Sequence, residues 1–123
     1  MTDHPGKLSC GCVVVRQTDD GWFAPDGKSM GGGLTGCMAA LFLLSTGDDA
    51  YLPNVARFAH ALAASAEKGP TTSAWHAGYQ LMLMGEYYLL TKDRRLEPAM
   101  KSLAHTLENS VWPQAGGFSH KPF

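Results

Sequence analysis

The sequence predicts an all-α fold made of two helical hairpins stacked as repeats. Three observations carry that expectation. First, a shift of 45 residues lays "LLSTGDDAYLPNVARFAHALAAS" over "YLLTKDRRLEPAMKSLAHTLENS" without a gap. Leu44, Thr46, Asp48, Pro53, Ala59, His60, Leu62 and Ser65 then coincide with Leu89, Thr91, Asp93, Pro98, Ala104, His105, Leu107 and Ser110, and Gly33 falls on Gly78. A period of this size marks a supersecondary unit that buries its apolar face by stacking on a neighbour. Second, each unit opens with a segment apolar almost all round and continues with an amphipathic one, the pattern of a buried helix paired with an outer one. Third, Pro53 and Pro98 stand in the first turn of the second helices, where a missing N–H is tolerated.

The chain reads as one domain, 1–123, in four stretches. Residues 1–33 form a strand and loop segment. There "CGCVVVRQTDDGWFA" carries a β-branched run, so Cys12 to Arg16 is expected as a short β element, hairpinned onto Trp22 and Phe23. Residues 34–68 form the first hairpin. Its buried helix is expected over Leu34 to Thr46, and Gly47-Asp48-Asp49 make the turn, with Asp48 and Asp49 at a helix N-cap. Val55, Phe58, Ala59, Leu62 and Ala66 then recur at helical spacing along the outer helix. Residues 73–110 repeat the plan, with a buried helix over Trp75 to Thr91 and a stripe of Met100, Leu103, Ala104 and Leu107. Residues 111–123 are a linker and tail. "GGGLTG" before the first buried helix is expected to allow tight packing at its start.

The linkers carry a resemblance. Gln17, Gly21 and Trp22 precede the first hairpin, and Gln114, Gly117 and Phe118 follow the second, about two periods later. With the turn Ser45-Thr46-Gly47-Asp48, these segments resemble the squalene-cyclase and prenyltransferase repeat superfamily. The resemblance spans about residues 14 to 120. It implies an α/α toroid, with inner helices around a central cavity, and it implies more hairpins than the two present here. Self-association or a larger helical-repeat parent is the partner it suggests. The acidic motif and zinc triad of that superfamily's enzymes find no counterpart in Asp19-Asp20, Asp48-Asp49 or elsewhere, so the enzymatic activities do not carry over.

Composition narrows the function classes. The 123 residues are 45% hydrophobic and 17% charged, with a net charge of −1. That balance fits a globular chain with a real core. It supplies no basic field for nucleic acid or an anionic membrane, and the apolar runs are too interrupted to span a bilayer. The start "MTDHPGKLSC" lacks the order of a secretory leader. Three cysteines, Cys10, Cys12 and Cys37, leave one without a partner in a monomer, which favours a reducing, cytoplasmic compartment. The Cys10-Gly-Cys12 spacing differs from that of a common zinc or redox pair, and small buried side chains are the better account of these thiols. No metal or cofactor is expected. A phosphate loop is excluded as well, because Gly21 and Gly27 before Lys28-Ser29 enclose five residues where the motif requires four.

Within "WHAGYQLMLMGEYYLL" one carboxylate, Glu86, interrupts an apolar helix. At 100° per residue, Trp75, Tyr79, Met82 and Glu86 fall on nearly one line, with His76, Leu83 and Tyr87 beside it. The equivalent of Glu86 in the first repeat is Leu41, so the repeat itself does not need the charge. Two readings follow. In the first, the chain is a helical-repeat binding or assembly module without a complete catalytic set, and Glu86 is a satisfied structural group. In the second, it is a small hydrolase-like enzyme, or part of one, acting on a carbohydrate or another neutral substrate. Glu86 would then be its general acid or base, with His76 beside it and Trp75, Tyr79, Met82, Tyr87 and Trp22 lining the ligand. The duplicated His60 and His105 lack recurring partners for a ligand role, so contacts to neighbouring helices are expected of them.

Overall fold

The computed structural model describes residues 13, 14, 16–23, 34–69, 71 and 73–122. Four α-helices dominate them: α1 (Leu34–Ser45), α2 (Leu52–Lys68), α3 (Ala74–Thr91) and α4 (Glu97–Glu108). Short 3-10 turns, Asp49–Tyr51 and Arg94–Leu96, lead into α2 and α4. The expected all-α hairpins are present, and the two buried helices, expected over Leu34 to Thr46 and Trp75 to Thr91, run within a residue of those bounds. Helix α1 packs on α3 and α2 on α4, while each hairpin also closes on itself. Two layers result, α1 with α3 and α2 with α4. No helix among the described residues is long and apolar enough to cross a membrane.

The duplicated residues build a duplicated turn. Thr46 and Thr91 each donate a hydroxyl hydrogen bond back into the preceding helix, to Leu43 O at 2.7 Å and Tyr87 O at 2.8 Å. Each hydroxyl then accepts from the N–H two residues on, Asp48 or Asp93. The aspartates accept from Ala50 N at 2.9 Å and Arg95 N at 3.2 Å, capping the 3-10 turns. Between threonine and aspartate the backbone turns left-handed, at Gly47 with φ +68° and at Lys92 with φ +56°. Glycine adopts that conformation freely, and lysine only at a cost. Pro53 and Pro98 occupy the first turns of α2 and α4, as expected.

The core gathers between the layers around Phe58, Leu43, Leu62, Leu83, Met84, Leu96 and Leu103, all essentially inaccessible. Gly36 lets the Phe58 ring lie against the backbone of α1: a Cβ there would fall 2.3 Å from Phe58 Cε2. On its other side the ring meets Trp22 edge-on at 5.7 Å and Phe23 at 5.5 Å.

The N-terminal segment differs from its expectation. Val13 and Val14 are helical, and the β element among the described residues is a single antiparallel bridge between Gln17 and Phe23; Cys12 and Val15 lie outside the described residues. The local turn wins over β-branched propensity because its polar groups are satisfied against α2. Thr18 N donates to Trp22 O at 2.8 Å. The Gln17 amide both donates to Asn54 O and accepts from Asn54 Nδ2, each at 2.8 Å. Gly21, at φ +97°, lies so close to the Arg57 carbonyl that a Cβ would reach it at 2.6 Å. The second linker contains a similar bridge, Val111 to Phe118, and is tied to the start of α3 by Ala74 N donating to His120 O at 2.9 Å. Cys10, Cys12 and most of the glycine run before Gly36 also lie outside the described residues.

Candidate functional site

Among the described residues, three places concentrate chemistry or exposed apolar surface. The first is the junction between the hairpins. His60 on α2 reaches the turn after α3, and its Nε2–H donates to Asp93 Oδ2 at 2.6 Å. Arg95 holds the same carboxylate with two charge-assisted bonds, Nε to Oδ1 at 2.9 Å and Nη2 to Oδ2 at 3.0 Å. The Tyr87 hydroxyl donates to Oδ2 at 3.4 Å, and its ring stands edge-on to His60. Chiefly through the Arg95 hydrogen bonds, against the opposing effect of burial, Asp93 stays ionised well below the usual carboxylate range. Burial, then the Asp93 charge, raises the Tyr87 hydroxyl above its ordinary value. The cluster is a latch: a carboxylate fully used by three partners from two hairpins.

The second place is an open groove of about 430 Å³ between α1 and α3, lined by Leu41, Leu44, Met82, Glu86, Leu89 and Leu90 among others. Glu86 is exposed there, so its charge stays hydrated and the burial cost that made it conspicuous in the sequence does not arise. The third is an apolar cleft of about 450 Å³ at the start of α3, where Trp75 and Gly78 face Leu107, Phe118 and His120.

The residues singled out in the sequence therefore do not share one site. Met82 and Glu86 meet in the groove, and Trp75 belongs to the cleft. Tyr87 is buried in the latch, and Trp22 packs on Phe58. Tyr79 is half-buried against the core. His76 is half-buried in the first turn of α3, its N–H capped by Ser73 Oγ at 3.4 Å, and it lines neither groove nor cleft. Asp93 and Arg95 are the residues that sequence reasoning passed over. The signal was present, since aspartate and histidine were both duplicated, but the partner of each lies in the other repeat. Cys37 is buried and its thiol is pushed up to about 12 by desolvation, which makes it an inert core residue. No cluster of three or more histidine, cysteine, aspartate or glutamate side chains is placed to hold a metal among the described residues.

Residues 9–122 match the family model DUF6288, described as a domain of unknown function. The chain belongs to that family. No curated protein and no solved structure matches it.

In this DUF6288 domain the two repeats differ systematically in what they expose. Cys37 and Ala40 of α1 are fully buried, yet their equivalents Met82 and Gly85 on α3 are not, Met82 being 53% exposed. The opposite face reverses the pattern. Met38 and Phe42 are exposed at 58% and 39%, whereas their equivalents Leu83 and Tyr87 are buried. The outer layer behaves alike: Ala59 and Ala66 are buried, while Ala104 and Val111 are exposed. Each reversal has one cause. The face by which either hairpin packs on the other is, at the equivalent place in the other hairpin, open to solvent.

Proposed function

We propose that this domain is a helical-repeat assembly module, built to bind helical partners through its repeat faces rather than to catalyse a reaction. The reversal of exposure between equivalent residues supports this reading. Met82 and Leu89 keep apolar side chains at positions more than half exposed in this two-hairpin unit, and contiguous exposed apolar surface marks interaction sites. The α/α toroid suggested by the linkers would be one arrangement of such modules. A naphthalene-sulfonate dye should bind the native chain, and Met82→Lys with Leu89→Lys should remove that binding without lowering Tm. A native chain that binds no dye, or a double variant that unfolds, counts against the reading.

The competing reading keeps the groove as a site for a small neutral ligand with Glu86 as its acid or base. Its support is the volume of the groove and the placement of Glu86 beside Met82. Glu86→Gln separates the two. Loss of a ligand or activity found by screening, at unchanged Tm, favours the enzyme, and an unaltered response favours the module.

A further inference from the structure

The junction between the two hairpins is a template for what the second hairpin can accept. We infer that the open face of α3 and α4 takes a further helical hairpin of the same 45-residue type, and that an aspartate opening its turn pairs with His105. This rests on the assembly reading and names the partner.

The latch supplies the polar half of the inference. His60 and Asp93 join the hairpins at 2.6 Å. By the repeat, His105 is the next His60, and it is exposed, with Asn109 Nδ2 at 3.0 Å and Glu108 at 3.7 Å as the polar groups beside its ring among the described residues. Both neighbours are themselves exposed and can turn away. An incoming carboxylate would give the ring the charge-assisted bond that His60 already has.

The apolar half follows the same register. Leu83 and Tyr87 are covered where α3 meets α1, a helix presenting Cys37, Ala40 and Leu44. On α3 the equivalent row is Met82, Gly85 and Leu89, with Leu89 at 63% exposure. The occupant therefore carries large apolar residues four apart on its first helix, and an aspartate six residues after the second of them, as Tyr87 precedes Asp93.

A second copy of this chain offers part of that pattern, since Met38 and Phe42 are exposed and Asp48 lies six residues beyond Phe42. Its α2, however, is already covered by Gln17–Phe23, clamped to Asn54 and stacked on Phe58. A hairpin without such a covering is the better fit.

The test extends the full chain by repeating residues 78–122 once after Pro122, so that the added copy of Asp93 can reach His105. Hydrogen exchange and thermal unfolding are measured on the 123-residue chain and the extended one. The added hairpin should become protected, and the amides of Leu89 and Val111 should gain protection with it. His105→Ala should lower the Tm of the extended chain by about 2–4 °C and leave that of the original chain unchanged. Glu108 stands where Ala63 is buried in the first junction, so a second extended chain carries Glu108→Ala to remove a charge the template lacks. If the added hairpin stays labile in both extended chains, the inference and the face it relies on both fail. A docked hairpin indifferent to His105→Ala overturns the acid latch and leaves the assembly reading standing. A dimer of the original chain that is lost on Asp48→Asn overturns the choice of occupant.

Discussion

Adding one methyl group to Gly36 should destabilise the fold, although the same change elsewhere in its helices should help it. Helix propensity alone favours alanine over glycine by about 1 kcal/mol. At Gly36 the new Cβ would lie 2.3 Å from Phe58 Cε2 and 2.6 Å from Cζ, against an ordinary contact of at least 3.4 Å. The ring would have to move by more than an ångström, and it is fully buried between Trp22 and Phe23. Overpacking of that kind costs about 1–3 kcal/mol. With the displacement this large the upper half of that range applies, leaving a net loss of about 1–2 kcal/mol after the propensity gain. Thermal unfolding should show Gly36→Ala melting roughly 5–10 °C below the parent. Gly85, with nothing within 4 Å of its would-be Cβ, is the control: Gly85→Ala should raise stability by about 1 kcal/mol. Phe58→Leu combined with Gly36→Ala should cost less than the sum of the two changes, because the clash and the lost ring contacts share one space. A Gly36→Ala chain as stable as Gly85→Ala would refute the packing argument.

Three other expectations rest on particular side chains. Asp93→Asn should cost about 1–2 kcal/mol at pH 7, by weakening charge-assisted bonds to a largely buried oxygen pair. Because the folded state holds the Asp93 carboxyl below its unfolded value, that stabilisation is complete above the unfolded range near pH 3.9 and fades as pH falls below it; denaturant melts of the two chains should therefore begin to draw together below about pH 4 and meet only as pH falls through the lowered folded value. Cys37 should resist alkylation in the native chain and react only on unfolding, as peptide mass spectrometry of pulse-labelled protein would show. Lys92→Gly should stabilise the chain by up to about 1 kcal/mol, since residue 92 has φ +56° and the equivalent residue is Gly47; an unchanged Tm would mean that the Lys92 ammonium, 5.9 Å from the Tyr88 ring centre, offsets the strain.

Helix positions were legible because they depend on local rules repeated twice. The Thr-x-Asp turn and the proline after it are short-range hydrogen-bond and backbone effects, and the 45-residue match exposed them. What escaped was anything set by contacts across the repeat. The segment before α1 has the β-branched run Val13-Val14-Val15. Its described stretch from Arg16 to Phe23 is tied down by Gln17 bonding Asn54, 37 residues away, and a local propensity scale carries no trace of that. The line Trp75, Tyr79, Met82, Glu86 was correctly placed on α3, but periodicity gives the angle of a face and not what stands opposite it. In the fold Trp75 and Glu86 open into different hollows, and Tyr87, one residue beyond Glu86, is buried in the latch.

Repetition explains why burial is a poor guide to residue choice in this chain. Leu44 and Leu89 are the same residue at the same repeat position, one half-buried and the other 63% exposed. If single-chain stability governed the choice, Leu89 would have no reason to remain leucine, since exposed apolar area contributes nothing until it is removed from water. The two sides of the domain differ in the same sense. Over α2 the covering segment turns Asp19 and Asp20 to solvent, the polar finish expected where a stack is covered. Beyond α4 the linker shows Val111, Trp112 and Phe118, each at least a third exposed. Met38 and Phe42 leave apolar surface on the far side of α1 as well, but the face next to His105 joins an exposed apolar row, Met82 and Leu89, to a histidine placed as His60 is in the existing junction, and that pairing is the physical reason to regard it as made for contact.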